Sequence, residues 1–195
     1  MIIGITGGTG CGKTTLLRQI EAMGGLILDC DAIYHQLLET DAQLLSALDT
    51  RFPGTIIAGR LDRKKLGSIV FSDPAALSDL NRITHAAVKA KVLHALENSP
   101  NLAAIDAIAL HEGGLAELCD ITVAVTAPEK ARITRLMERE GITADYAKAR
   151  IRAQHDNAWY EKTCTHTLEN TGSLLEFERK CLAFLESLGI MKENR

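Results

Sequence analysis

Short apolar runs alternate along the chain with longer segments in which apolar residues recur at helical spacing. The runs are bounded by glycine, proline or charged residues and have the length of buried strands. They cover Ile2–Thr6, Leu26–Asp29, Leu102–Ile108, Ile121–Val125 and Thr167–Glu169. Alternation of such strands with helices is typical of an α/β domain built on a parallel sheet.

The helical segments are unevenly distributed along the chain. A stretch of approximately 32–98, around the turn cluster FPGTIIAG, is too long for one crossover and predicts a mostly helical subdomain inserted after strand two. After the fourth strand, Pro128 suits the first turn of a helix that ends at Gly141. Thr143 can cap the next helix, predicted over 144–160. An amphipathic helix over 174–188 closes the pattern.

The first predicted strand runs directly into a glycine-rich segment, GGTGCGKTT. It fulfils G-x-x-x-x-G-K-[ST] between a strand and an amphipathic helix, which is the context that a phosphate-binding loop requires. Successive N–H groups of such a loop can surround an anion at the positive end of the helix. Lys13 would reach the β- and γ-phosphates, and the Thr14 hydroxyl would bind Mg²⁺. The predicted nucleotide-binding residues here are Gly8, Thr9, Gly10, Cys11, Gly12, Lys13, Thr14 and Thr15.

Cys11 lies inside this loop, next to the N-terminus of a predicted helix. Such a position can lower the pKa of a thiol and make it reactive. The alternative is that Cys11 is only a small residue that the loop tolerates.

Carboxylates follow two of the predicted strands. Asp29 and Asp31 come after the second strand, at the edge of a parallel sheet where ligands bind. Asp31 is the candidate for accepting the proton of an attacking hydroxyl; alternatively, it only caps the helix that starts at Ala32. Asp106 ends the third strand, where a carboxylate can hold Mg²⁺, although an acid there is often only solvated.

A basic region follows the fourth strand. Between Lys130 and Lys162 there are eight Lys or Arg residues against five Asp or Glu residues, in a chain whose net charge is −3. Arg132, Arg135 and Arg139 share one helical face, and arginine suits forked contacts with phosphate oxygens. We predict that Arg139 contacts the transition state from a lid that excludes water, with Arg135 and Arg150 as further candidates; a solvated charged face is the alternative.

Composition narrows the classes of function. With 195 residues, 46% of them hydrophobic, the chain can bury the core of a single domain, 1–195. A net charge of −3 gives no general attraction for nucleic acid or an anionic membrane. The cysteines are dispersed without a C-x-x-C pair and indicate reduced thiols in a cytoplasmic protein. We expect small-molecule partners, no nucleic acid and no membrane, with either a monomer or a small homo-oligomer.

In this order, the motifs resemble those of the dephospho-CoA kinase family over almost the whole chain. The matching segments are GITGGTGCGKTT, LDCDAIYHQL, LDRKKLGSIVF, LNRITH, RLMEREGIT, RIRAQ and LENTG. The phosphate loop alone would not select a family. Its combination with the aspartate pair, the Leu-Asp-Arg block and the Asn-Thr-Gly is fairly specific.

The resemblance implies a P-loop NTPase fold with a five-stranded parallel sheet, a helical substrate subdomain and a helical lid at approximately 129–160. It implies transfer of the γ-phosphate of ATP to the ribose 3′-hydroxyl of dephospho-CoA, giving coenzyme A and ADP. Asp31 would be the base, and Lys13 and Arg139 would stabilise charge. Asn170 and Gly172 would form part of the adenine pocket.

For the acceptor, the resemblance implies contacts from Asp31, Arg63, His85 and Glu112. This chain has His85-Ala86 where the family usually has His-Pro, and IALHE where the family has a Pro-Leu-Leu-like stretch before the glutamate. Alanine in place of proline gives this acceptor loop more backbone freedom.

Two other functions fit parts of the pattern. Another P-loop kinase, acting on a nucleoside or a nucleoside monophosphate, would share the loop, the aspartate and the lid. A nucleotide-binding regulatory switch would share the loop, but the Asn-Lys-x-Asp stretch with which such switches read guanine is absent from the sequence.

Overall fold

The computed structural model describes residues 1–97 and 99–191. Its strands are β1 (Ile2–Thr6), β2 (Leu26–Asp29), β3 (Ile56–Ile57), β4 (Arg60–Leu61), β5 (Ala103–Asp106), β6 (Ile121–Thr126) and β7 (His166–Glu169). Its helices are α1 (Lys13–Ala22), α2 (Cys30–Thr40), α3 (Ala42–Arg51), α4 (Arg63–Val70), α5 (Pro74–Glu97), α6 (Glu129–Glu140), α7 (Ala144–Arg152), α8 (Asn157–Thr163) and α9 (Leu174–Ser187). A 3-10 helix covers Ala116–Leu118.

A five-stranded parallel sheet in the order β2-β5-β1-β6-β7 confirms the predicted fold class. The central strand is β1, which pairs with β5 on one side and with β6 on the other. Parallel neighbours cannot be joined by tight turns, so helical connections follow the strands. The glycine-rich segment therefore leaves the sheet at its centre.

The core of the sheet explains why its strands are nearly continuous runs of apolar residues. Both neighbours of β1 are buried, and α1 and α9 cover the sheet with the apolar faces that their periodicity predicts. Completely buried members of this core are Ile3, Ile5, Cys11, Leu16, Ile20, Ala104, Val123, Val125, Ala127, Cys181 and Leu185. The loop thus begins and ends on rigid, packed elements.

The chain divides into two compact units. The first comprises residues 1–28, 99–111 and 115–191, and it carries the sheet together with α1 and α6–α9. The second comprises residues 29–97 and 112–114. In the second unit, α2, α3 and α4 each pack against the long helix α5, and β3 and β4 form a small hairpin at the FPGTIIAG turn cluster.

The prediction of one helix over 144–160 is wrong, because the segment forms two helices. Thr143 caps α7 as predicted, through a hydrogen bond from the N–H of Tyr146. However, α7 ends at Arg152, and Asp156 begins α8 by accepting a hydrogen bond from the N–H of Trp159. An aspartate inside a helical pattern can act as an N-cap, and here that local hydrogen bond ends the apparent continuity.

The strand ends differ slightly from the sequence prediction. The predicted strand 102–108 is reduced to β5, Ala103–Asp106. Its last two predicted residues, Ala107 and Ile108, instead enter the turn that follows, where the side-chain hydroxyl of Thr6 donates to the carbonyl of Ile108. The amphipathic helix α9 begins with a capping box between Ser173 and Glu176.

Replacing Asp156 with alanine is expected to destabilise the protein by about 1 kcal/mol, because α8 loses its only side-chain cap. Asp156→Asn should retain nearly full stability, since asparagine is an equally good N-cap. Urea unfolding of both variants measures the difference. Equal stability of Asp156→Ala and the unmodified protein would show that the hydrogen bond does not define the start of α8.

None of the helices in the described part of the chain combines the length and the apolar character that a membrane span requires.

Candidate active site

The glycine-rich loop connects the end of β1 to the first turn of α1. Gly7, Gly10 and Gly12 have φ angles of 135°, 79° and 104°, which side chains disfavour. A methyl group at Gly7 would also collide with the carbonyl oxygen of Val125 on β6. The backbone freedom that the sequence concentrates here is therefore needed for the shape of the loop.

The N-terminal end of α1 is open to an anion. Among the residues that the structure describes, no side chain caps the helix; its first turn holds no acidic residue, and its first N–H groups lack partners within the helix. Lys13 folds over the loop and donates from its Nζ to the carbonyl of Gly7 at 2.9 Å, and the Thr14 side chain is exposed. Backbone amides, a helix N-terminus and an ammonium group together form a site for phosphate.

Arg132 of α6 holds the outside of this loop. Its side chain is buried, with 3% of the residue exposed, and its Nε donates to the carbonyl of Thr9 at 2.9 Å. The N–H of Thr9 donates to the Oε1 of Gln154 at 2.8 Å, and Gln154 also accepts from Arg132. Both backbone polar groups of Thr9 are thus engaged by the segment that follows β6.

Arg135 and Asn170 hold the next part of the loop. Asn170, at the end of β7, is buried and donates from its Nδ2 to the carbonyl of Cys11 at 2.9 Å. Its Oδ1 accepts from Arg135 at 3.0 Å, and Arg135 also donates to the carbonyl of Gly10 at 3.2 Å. The predicted adenine contact Asn170 therefore lies against the loop with both its side-chain amide groups in hydrogen bonds, whereas Gly172 is exposed.

Arg139 lies one turn further along α6 and does not share these contacts. It is exposed and pairs with Glu140, which also pairs with Arg150. The hydrogen bond from Arg139, helped by Arg150, holds the pKa of the Glu140 carboxyl below its ordinary value. The sequence pattern favoured Arg139, with Arg135 as a further candidate for the transition state, but it did not indicate that Arg132, Arg135 and Gln154 contact the loop. The spacing of the arginines on one face was the signal that could have found the first two.

The two aspartates after β2 have different positions. Asp29 caps α2 by accepting a hydrogen bond from the N–H of Ala32 at 3.0 Å. Asp31 lies inside the first turn of the helix, and its side chain is exposed. The alternative that Asp31 serves as the cap is therefore wrong, since α2 begins at Cys30, two residues earlier than the sequence indicated, and Asp29 fills that role.

Asp106 and Thr14 supply oxygen atoms of the kind that Mg²⁺ prefers. Asp106 ends β5, is half-buried and pairs in register with Ile5 of β1, next to the start of the loop. Among the described residues, no cluster of three or more His, Cys, Asp or Glu side chains suited to a metal is present. This sparse set fits Mg²⁺, which commonly binds through one or two protein ligands, phosphates and water.

In the second unit, the structure brings two predicted acceptor residues together. His85 of α5 and Glu112 line the same cavity of about 610 Å³, with the start of α5 and Gly113–Gly114. Arg63 is not among the described residues that line it. Arg63 begins α4, and its Nη2 lies 3.1 Å from the Nδ1 of His35.

The surroundings of the loop cysteine, Cys11, raise the pKa of its thiol, whereas a reactive thiol requires a lowered pKa. Cys11 is completely buried, and burial raises its pKa, although the nearby Arg132 and Lys13 oppose the shift. A raised pKa keeps the thiol protonated near neutral pH, and the protonated form is not the nucleophile. The suggestion that the helix N-terminus lowers this pKa is therefore wrong.

Iodoacetamide is expected to leave Cys11 unmodified in the native protein near neutral pH, over a time in which the unfolded protein is fully alkylated. Burial blocks access to the sulfur and disfavours the thiolate. Peptide mass mapping measures the labelling of each cysteine. Rapid labelling of Cys11 in the native protein would contradict the structure.

The comparisons with known proteins agree with this geometry. A family model described as dephospho-CoA kinase matches residues 1–176. A dephospho-CoA kinase of Thermus thermophilus is 36% identical over 189 residues, covering 96% of this chain and 92% of that protein.

Two solved structures are similar over nearly the whole length of both chains. The structure of TT1252 from Thermus thermophilus has a TM-score of 0.80 and 35% identity, covering 96% of this chain and 97% of that one. A dephospho-CoA kinase from Campylobacter jejuni has a TM-score of 0.68 and 26% identity, covering 97% and 98%. With a phosphate-binding loop at its centre and these similarities along its length, the chain belongs to the dephospho-CoA kinase family.

Proposed function

We propose that the protein transfers the γ-phosphoryl group of ATP to the ribose 3′-hydroxyl of dephospho-CoA, with formation of coenzyme A and ADP. Family membership makes the protein a phosphotransferase with ATP and dephospho-CoA as its substrates. The observation that carries the proposal is the open, uncapped N-terminus of α1 behind a glycine loop with Lys13 folded over it.

The nucleotide phosphates would bind in the loop. Residues 8–15 would line the β-phosphate, with the backbone N–H groups of Gly10 and Gly12 directed at it, and Lys13 would leave the Gly7 carbonyl to contact the β- and γ-phosphates. Asn170 and Gly172 would lie on the adenine side of the nucleotide. A low-dielectric site strengthens each of these charge interactions, because less water competes for the phosphate oxygens.

Thr14 and Asp106 would hold Mg²⁺ together with phosphate oxygens and water. When bound, the ion would neutralise charge that develops on the β- and γ-phosphates. The role of the protein is to present the Thr14 hydroxyl at the first turn of α1 and the Asp106 carboxylate at the end of β5.

Asp31 would accept the proton of the 3′-hydroxyl as the new phosphate ester forms. Its exposed carboxylate in the first turn of α2 is not used as the helix cap, because Asp29 has that function. His85 and Glu112 would contact the acceptor from their shared cavity, and Arg63 would contribute a positive charge. The helical insertion at approximately 32–98 would thus be the acceptor-binding part, with Glu112 contributed from outside it.

Residues at approximately 129–160 would act as the lid, and Arg139 would be its catalytic residue. In the structure Arg139 pairs with Glu140. It would exchange that carboxylate for the oxygens of the transferring phosphoryl group, on which negative charge develops. Excluding water at the same time would keep hydrolysis from competing with transfer.

A coupled assay of ADP release against a panel of acceptors tests the proposal. Dephospho-CoA should support turnover, whereas adenosine, AMP and CMP should give rates near that of the acceptor-free control. Faster turnover with a nucleoside or a nucleoside monophosphate than with dephospho-CoA would replace the proposed acceptor with another one.

A further inference from the structure

We propose that Arg132, Arg135 and Asn170 are positioning residues that hold three successive carbonyl groups of the phosphate loop and thereby direct the loop's amide groups at the nucleotide phosphates. The proposal rests on the proposed function only in requiring that the loop binds nucleotide phosphate. It assigns a role to Arg132, for which the sequence indicated none, and a different role to Arg135 and Asn170.

The three side chains contact consecutive residues of the loop. Arg132 donates to the carbonyl of Thr9, Arg135 to that of Gly10, and Asn170 to that of Cys11, at 2.9, 3.2 and 2.9 Å. These donors come from two separate places in the first unit, α6 and the end of β7. These contacts therefore hold three carbonyl groups on the side of the loop that faces α6 and the end of β7.

The geometry of the trans peptide determines the direction of the loop's N–H groups once its carbonyl groups are held. The peptides of the loop are trans, and in a trans peptide the carbonyl of one residue and the N–H of the next point in opposite directions. Holding the Thr9 carbonyl therefore directs the N–H of Gly10 away from Arg132. Holding the Cys11 carbonyl directs the N–H of Gly12 away from Asn170 in the same manner.

The amide of Cys11, between those of Gly10 and Gly12, does not face a ligand. The N–H of Cys11 donates to the carbonyl of Gly8 at 3.3 Å, so it closes the turn instead of facing a ligand. The N–H of Thr9 is occupied by Gln154. Among the loop amides, those of Gly10 and Gly12 are oriented by the carbonyl contacts and remain for phosphate. The N-terminal end of α1 follows them directly.

The glycines of the loop fit the same explanation. A methyl group at Gly8 would overlap the Arg132 guanidinium, and one at Gly12 would overlap the Asn170 amide. These positions are thus restricted to glycine on the side where the positioning residues approach, in addition to the φ angle of Gly12. Flexibility of the turn alone would not explain why a side chain lies so close to the backbone at both Gly8 and Gly12.

The hydrogen bonds also explain why the buried arginine can be accommodated. Arg132 has hydrogen-bond acceptors in Thr9 and Gln154, and Arg135 has acceptors in Gly10, Cys11 and Asn170. Guanidinium groups present several donors in a fixed plane, which lysine cannot reproduce. Their positive charge would in addition favour an anion on the far side of the loop.

Asn170→Asp tests the proposal with little change of shape. The variant keeps an acceptor for Arg135 but replaces the donor to the Cys11 carbonyl with a second oxygen. Arg135→Lys is the second variant, because it keeps the charge and loses the forked contacts. Arg179→Lys, on the exposed surface of α9, is the matched control, and thermal unfolding verifies that each variant is folded.

Calorimetric titration with Mg·ADP and, separately, with inorganic tripolyphosphate supplies the readout. If the side chains position the loop, Asn170→Asp and Arg135→Lys should weaken both ligands by the same factor, on the order of 10- to 100-fold. The control should bind as the unmodified protein does. The tripolyphosphate result separates positioning from base recognition, because that ligand has no adenine.

Two results would overturn the proposal. If Asn170→Asp weakened Mg·ADP and left tripolyphosphate unchanged, Asn170 would contact the base. If neither folded variant weakened either ligand, the carbonyl contacts would be structural only. Both measurements are made without dephospho-CoA, so a failure of the proposed acceptor specificity would leave them interpretable.

Discussion

Replacing Asp31 with asparagine is expected to lower kcat by about 10²- to 10⁴-fold, the range associated with loss of a general base. Asparagine has nearly the same shape as aspartate but cannot accept the proton of the 3′-hydroxyl. The KM for ATP should change by less than about threefold, because the contact is made chiefly as the proton is lost and not when the nucleotide binds. Steady-state kinetics with dephospho-CoA and ATP measure both quantities.

Asp29→Asn is the matched comparison for this variant. It makes the same chemical change two residues earlier, and asparagine retains the N-cap that Asp29 provides for α2. We therefore expect its kcat to remain close to that of the unmodified protein. If the two variants lost activity equally, or if Asp31→Asn lost stability as well as kcat, Asp31 would have a structural role and the assignment of the base would be wrong.

Replacing Lys13 with methionine is expected to lower kcat/KM for ATP by about 10³-fold, the upper part of the range for one preorganised electrostatic contact. The ammonium group lies over the loop at the Gly7 carbonyl, from which it would reach the phosphates on which charge develops. Methionine has a similar length and no charge. Initial rates at varied ATP concentration give the value.

Lys130→Met is the control for this change. Lys130 is exposed on α6, so the same loss of charge occurs in the same unit without a contact to the loop. It should retain the kcat/KM of the unmodified protein. Comparable losses in both variants would mean that Lys13 acts only through the general electrostatic field and not through contact with the phosphates.

The sequence predicted the parts of the site that depend on local pattern. The strand–loop–helix arrangement around Gly12 and Lys13 follows from spacing alone, because glycine, a buried strand and an amphipathic helix each have a local signature. The parallel sheet likewise follows from the alternation of elements. These features can be predicted without knowing which distant residues are in contact.

The parts that the sequence did not predict depend on contacts between distant segments. Arg132 and Asn170 reach the loop across more than a hundred residues of sequence, by hydrogen bonds whose separations are 123 and 159 residues. A periodic run of arginines indicates a helical face, but only the packing of α6 shows which of them contacts the loop. Arg139, which the sequence favoured, pairs with Glu140 instead.

The sequence prediction also misplaced helix boundaries, because side-chain capping decides where a helix begins. Asp29, and not Asp31, begins α2, and Asp156 interrupts what its periodicity indicated as one helix. Aspartate is compatible with a cap, a first turn or a solvated helix surface. The sequence alone does not distinguish these positions, because the hydrogen bond to a particular N–H decides between them.

The proposed reaction transfers the terminal phosphate of ATP to one hydroxyl group of dephospho-CoA. The most direct measurement is to incubate the protein with ATP, magnesium and dephospho-CoA and to identify the products by mass spectrometry and ³¹P NMR. We expect one ADP for each molecule of coenzyme A, with the new phosphate on the ribose 3′-oxygen. Formation of ADP without a phosphorylated acceptor, or a phosphate at any other oxygen, would contradict it.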